Sequence, residues 1–196
     1  MKKETIRRYH NEKYTAFNYN AYCRRKRRRI DRPAKEEAEK NGAEIHLVNI
    51  REKQISFCRA CYGCAETGVC VQKDDFMDIL HLAHEADVII AEAPVYYNCM
   101  AAQMMTVINR LCCTFACKSY QIGPKKRVGI FLTCSGSDPE EMKRHVRNIV
   151  TLPSVSRTIS DYRTEVFTNC NSTSTCQDTP EYLERAKAVA RWALEA

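Results

Sequence analysis

Apolar and polar positions along the chain fall into short blocks whose period changes from one block to the next. AKEEAEKNGAE, from Ala34, has the spacing of the end of an amphipathic helix, closed by Asn41-Gly42, whose glycine can take the left-handed cap conformation. EIHLVNI, residues 44–50, alternates as a strand does. DDFMDILHLAHEA puts Asp74 and Asp75 at a helix start and spaces Phe76, Ile79, Leu80 and Ala83 along one face, the pattern of a surface helix. DVIIAEAP, residues 87–94, is a short apolar run that predicts a strand buried on both faces. Helical periodicity runs from Met100 to about Cys117, Gly123-Pro124 breaks it, and RVGIFLTC, residues 127–134, predicts a second buried strand. Asp138 with Pro139 at the first helical position and Glu141 in the opening turn predicts another helix. TEVFTN is a weaker strand signal. Thr179 as N-cap followed by Pro180 opens a strong closing helix.

Strands alternating with helices predict an α/β fold, an open and mostly parallel sheet covered on both faces. In such sheets ligands sit beyond the carboxyl ends of the strands. Two loops qualify, PVYYNCM after Pro94 and TCSGS from Thr133 to Ser137. In the first, Tyr96 and Tyr97 offer faces for a flat conjugated ring and Asn98 offers hydrogen bonds to its polar edge, against the plainer role of packing the sheet edge. In the second, Ser135-Gly136-Ser137 gives hydroxyls and approachable backbone beside a helix start, suited to an anion or a polar ring edge and equally to an ordinary capped turn.

The 196 residues suit one domain. No run of eighteen apolar residues occurs, and the first thirty are charged where a secretory leader would be apolar, so a soluble, cytoplasmic protein is expected. The formal charge of +7 is uneven, because residues 1–41 alone carry +8. CRRKRRR, residues 23–29, is of the kind that contacts nucleic acid or acidic membranes by counterion release. Twelve cysteines in a chain of this length and compartment point to reduced thiols, some with metal or redox roles. Four of them, Cys58, Cys61, Cys64 and Cys70, fall in CRACYGCAETGVC with spacing C-x2-C-x2-C-x5-C. An iron–sulfur cluster, a zinc ion, disulfides, or small apolar residues crowding one loop all remain open on spacing alone. His81 and His84 read as surface residues, and Cys112, Cys113 and Cys117 as core or contact packing.

Three stretches, ISFCRACYGCAETGVCVQKDDFMDIL, ADVIIAEAPVYYNCMAAQMMTVINR and KRVGIFLTCSGS, in this order and spacing, resemble the flavodoxin-like NAD(P)H-dependent FMN reductases, and in particular their iron–sulfur flavoprotein branch. The resemblance covers roughly residues 34–150. It implies a flavodoxin-like three-layer sandwich with a parallel five-stranded sheet in order 2-1-3-4-5 and FMN at the strand ends. Pro94, Val95, Tyr96, Tyr97, Asn98 and Met100 would line the flavin ring, and Thr133, Cys134, Ser135 and Gly136 would close over its other side. Cys58, Cys61, Cys64 and Cys70 match the cysteine motif that holds a [4Fe-4S] cluster in that branch. NAD(P)H or a reduced carrier would give electrons, a quinone, flavin or redox protein would take them, and the assembly would be a homo-oligomer.

The front of the chain departs from this pattern. The family has an apolar first strand and then a glycine- and serine-containing loop around the FMN phosphate, expected here near residues 14–24. The chain reads YTAFNYNAYCR there, with no glycine before Gly42, so neither the first strand nor the phosphate cradle is legible. Residues 1–33 therefore form an atypical basic segment ahead of a flavin-binding domain over 34–196. Two explanations compete: a genuine basic arm, or translation of about residues 5–33 out of frame, since shifted arginine codons yield glycine and alanine. A non-enzymatic zinc- or nucleic-acid-binding module using the four cysteines and the basic arm is the alternative function. Zinc sites usually separate two cysteine pairs by a longer spacer, and aromatics are not interleaved with the arginines as in single-strand binders.

Overall fold

The computed structural model describes the backbone of residues 13–18 and all of residues 30–121, 123–170 and 179–195. The basic run and residues 19–24 of the expected phosphate loop lie outside the described residues. The elements are β1 (Lys13–Asn18), α1 (Asp31–Lys40), β2 (Glu44–Asn49), α2 (Phe76–Glu85), β3 (Val88–Tyr96), β4 (Cys99–Met100), α3 (Ala102–Arg110), α4 (Cys112–Ala116), β5 (Lys126–Thr133), α5 (Pro139–Val150), α6 (Pro153–Ser156), β6 (Ile159–Phe167) and α7 (Pro180–Leu194).

Five strands pair in parallel in the order β2-β1-β3-β5-β6, and β4 is a short antiparallel addition to β3. With β4 set aside this is the 2-1-3-4-5 order that the resemblance implied. The first strand is in place although no apolar run marks it. KYTAFN contains the β-formers Tyr, Thr and Phe, and its backbone is paired on both edges, Ala16 opposite Leu47 of β2 and Ile90 of β3. Strand β6 is also longer than TEVFTN suggested, because it begins at Ile159 and pairs along β5.

Helices cover both faces. On one, Ile30, Ala34 and Ala38 of the α1 region and Ala186, Val189 and Ala190 of α7 pack on Val88, Ile90, Phe131 and Phe167. On the other, Ile79 of α2, Met104 of α3, and Met142, Val146 and Val150 of α5 pack on Ile130, Leu132 and Val166. Gly129 lets α7 approach the sheet, since a Cβ there would lie 2.4 Å from Ile90 Cδ1 and 2.7 Å from Val189 Cγ1. The helix expected over residues 100–117 divides at Leu111 into α3 and α4, and Met100, its expected first residue, belongs to β4 instead. Asp138 caps α5 as its position suggested, its carboxylate accepting from the Glu140 N–H at 3.2 Å. Thr179 precedes α7 without a side-chain capping bond. Among the described residues no helix is long and apolar enough to cross a membrane.

Candidate functional site

The two loops expected to carry a ligand meet at one edge of the sheet. Pro94 of β3 stands opposite Thr133 of β5 in the parallel register, so both loops leave the sheet side by side. The first is a tight hairpin, with Val95 paired to Met100 and Tyr96 to Cys99, and only Tyr97 and Asn98 making the turn. Both have positive φ, +51° and +56°. This is the geometry of a two-residue hairpin whose twist matches that of the strands. Asn tolerates it, whereas a bulky tyrosine is strained there. The turn leaves the Tyr97 ring fully exposed.

The second loop is fastened to the end of β6, for Cys134 N–H donates to Phe167 O at 2.9 Å, Cys170 N–H to Cys134 O at 2.9 Å, and Asn169 N–H to Ser135 O at 3.1 Å. Ser137 Oγ donates to Asn98 Oδ1 at 2.8 Å and ties the two loops together. The sequence offers the Ser137 hydroxyl to a ligand or a cap, and the bond to Asn98 is a third use. Pro94, Met100, Thr133 and Cys134 are buried beneath this junction, Val95 and Tyr96 half-buried, and Tyr97, Asn98, Ser135 and Gly136 exposed at its rim. Burial pushes the Cys134 thiol above its ordinary value, although hydrogen bonding at Ser137 opposes the rise. All ten residues nominated from the sequence thus belong to one junction, with an apolar floor and a polar rim.

Sequence reasoning missed Glu92, fully buried on β3, whose Oε2 accepts from Asp31 N–H at 3.3 Å. That carboxylate serves an N–H at the start of α1, where Ile30 has no side chain able to cap. Lys126, also buried, donates to His84 O and Ala86 O at 2.6 and 2.5 Å at the far end of the sheet, and its burial lowers the ammonium below its ordinary value.

The cysteine loop lies between β2 and α2 and closes at a narrow neck. Gln54 N–H donates to Asp75 at 2.7 Å, Ser56 N–H to Asp74 at 3.0 Å, and Asp75 N–H to Gln54 O at 3.0 Å. Arg110, at the end of α3, completes the neck by donating to Asp74 at 2.7 and 3.1 Å and to Ser56 O at 2.7 Å. Within the loop Ala60 and Tyr62 have positive φ, +52° and +57°, and Ala60 N–H donates to Cys58 Sγ at 3.4 Å. Backbone turned this way directs amides toward sulfur, as in many Fe–S sites. Burial is the first cause of the raised Cys64 thiol, a backbone N–H opposes it, and Cys70, Cys58 and Cys61 add to it by repulsion. Cys113 of α4, buried near Cys64 and Cys70, is pushed up to about 11.

Nine cysteines among the described residues are free thiols, including all four of the loop, as the preference for reduced thiols implied, while Cys170 is disulfide-bonded and departs from it. No three His, Cys, Asp or Glu side chains among the described residues are gathered as a metal cage. The donor set suits an iron–sulfur cluster, being four thiols within thirteen positions of a pinned loop.

Comparison with known proteins agrees with this geometry. The profile of the NADPH-dependent FMN reductase family matches residues 21–163. An iron-sulfur flavoprotein of Archaeoglobus fulgidus is 41% identical over 78 residues, which are 40% of this chain and 36% of that protein. One from Methanosarcina thermophila is 29% identical over 116 residues, 59% of each chain. The chain therefore spans between 36% and 59% of the length of these two relatives. Among solved structures, the NAD(P)H:quinone oxidoreductase from Methanothermobacter marburgensis superposes with a TM-score of 0.60 at 11% identity, over 92% of this chain and 98% of that one, which establishes a shared fold.

Proposed function

The chain belongs to the NADPH-dependent FMN reductase family, and we propose that it is an FMN-dependent oxidoreductase with a [4Fe-4S] cluster held by Cys58, Cys61, Cys64 and Cys70. The observation that carries the reading is the junction of the two loops, tied from Ser137 to Asn98 over the buried floor of Pro94, Met100, Thr133 and Cys134. Bound FMN would supply the hydride and electron chemistry, from NAD(P)H or a reduced carrier to a quinone, a flavin or a redox protein.

The chain's own part is binding and orientation. Val95 and Met100 give apolar contact from below, and Tyr96 and Tyr97 present aromatic faces to a flat ring. Asn98, Ser135 and the open backbone at Gly136, where a Cβ would meet nothing within 4 Å, face the ring's polar edge. No side chain is assigned as a general acid or base. The four loop thiols supply soft anionic ligands in the number a cuboidal cluster takes. Phe57 and Tyr62 stand 71% and 73% exposed on that loop, which favours a homo-oligomer or a docked redox protein, and free thiols suit the reducing cytoplasm.

The visible spectrum of anaerobically prepared protein, with its iron and sulfide content, tests the reading. Flavin bands with broad absorption near ~400 nm and roughly four irons per chain are expected. Cys61→Ser should remove the iron and the broad absorption and leave the flavin. Uptake of one zinc, or of no metal, would overturn the cluster; a colourless protein would overturn the flavin site.

A further inference from the structure

The neck of the cysteine loop carries more charge chemistry than closing a loop requires. Arg110 is 1% exposed, and its carbon centre lies 4.6 Å from the centroid of the Phe76 ring. Two of its nitrogens are occupied, Nη1 by Ser56 O and Asp74 and Nη2 by Asp74. The third, Nε, is buried and has no hydrogen-bond partner among the described residues. Cys70 packs with Phe76 and Cys113 in the same small apolar cluster. Asp74 keeps the guanidinium charged despite its burial, and the Phe76 ring that the guanidinium covers belongs to the cluster against which Cys70 packs.

Resting on the reading that the four loop cysteines hold a cluster, we propose that Arg110 is the positioning residue of that site: it joins the two ends of the loop through Ser56 and Asp74, and sets its spare Nε–H and fixed positive charge against Cys70. Four thiolates in one loop repel one another, and a buried cation offsets part of that repulsion where water cannot. Hydrogen bonds and charge beside a ligand sulfur also set the ease of cluster reduction. Arg110 and Asp74 therefore act in opposite senses. The cation favours the more negative, reduced state, and the carboxylate disfavours it.

That opposition separates tuning from a merely structural role, which would shift both variants alike. Unmutated protein, Arg110→Gln, Arg110→Lys and Asp74→Asn are loaded anaerobically with iron and sulfide, and each midpoint potential is read by paramagnetic resonance during a reductive titration. Arg110→Gln should disfavour reduction about tenfold, a fall of about 59 mV for a one-electron couple. Asp74→Asn should move the potential upward. Arg110→Lys should stay near the unmutated potential but load less iron, because an ammonium cannot bridge Ser56 and Asp74 as a fork does. In parallel, tryptic cleavage after the exposed Arg59 and Lys73 reports on loop closure without any cluster, and should quicken about tenfold in Arg110→Gln. If Arg110→Gln does not fold, an unchanged potential in Arg110→Lys beside a raised one in Asp74→Asn still separates charge from structure. Unmutated protein that loads no iron overturns the cluster reading and leaves the cleavage comparison to decide whether Arg110 closes the loop. Equal potentials in iron-loaded proteins overturn the inference, as does equal cleavage where no iron loads.

Discussion

Replacing Tyr97 by asparagine should strengthen the folded protein and weaken its hold on flavin at once. Tyr97 sits at φ +51° with its ring wholly in solvent, so the side chain loses no packing when it is removed. A left-handed conformation costs an ordinary residue about 1–2 kcal/mol, and asparagine recovers much of that because its short amide bonds locally. Glycine would relieve the strain as well, but adds about 0.5–1 kcal/mol of unfolded-state freedom, so asparagine is the cleaner choice. A net gain of about 1 kcal/mol corresponds to a rise in Tm of about 2–4 °C for a chain of this size. If the ring stacks on bound FMN, its loss removes about 0.5–1.5 kcal/mol, a weakening of about two- to tenfold in Kd. Thermal unfolding of flavin-free protein and flavin fluorescence titration measure the two effects separately. A fall in Tm would show that the turn is not strained as described; a higher Tm with unchanged flavin affinity would remove Tyr97 from the site.

Asp74→Asn should cost about 3–5 kcal/mol at neutral pH, since it leaves the buried Arg110 without its carboxylate, and denaturant unfolding measures the loss. Burial raises the Asp74 carboxyl, but Arg110 and the N–H groups of Ser56 and Phe76 outweigh it and hold it below its ordinary value. Its stabilisation is thus complete above the unfolded carboxylate's pKa, near pH ~4, and is lost as pH falls through the lower folded value, so the variant should lack that part of the acid limb. Gly129→Ala should destabilise by about 1–3 kcal/mol, because Ile90 and Val189 must both move for the added methyl, and an unchanged unfolding midpoint would mean that α7 is less closely seated on the sheet than 2.4 and 2.7 Å imply.

Much of the fold was legible because period and capping chemistry are local. Asp138-Pro139 marked the start of α5, and the apolar runs marked β3 and β5 to within two residues at each end. The two loops at the strand ends were legible for the same reason, as they follow directly from those strands. What stayed hidden depends on partners distant in sequence. KYTAFN is a strand because two neighbours pair with it, and nothing in six residues announces them. The ion pair of Arg110 with Asp74 spans 36 positions, and Glu92 reaches the start of α1 across 61. The hairpin at Tyr97 and Asn98 lacks the glycine that usually reveals such a turn, so its loop was found but not its strained backbone.

Helix α3 begins two residues after the hairpin strand β4 and ends in Arg110 at the neck of the cysteine loop. Nine residues at roughly 1.5 Å each make it a strut of about 14 Å between the two places where electrons would reside. The spacing of the loop junction and the cysteine loop is therefore fixed by a count of residues in a rigid rod. Adding one residue to the rod would lengthen it by only about 1.5 Å but swing its last side chain through about 100°. The guanidinium would then face away from Ser56 and Asp74, so the gap cannot be adjusted in small steps. Only additions close to whole turns, four residues and about 6 Å or seven and about 10.5 Å, keep the latch facing the neck.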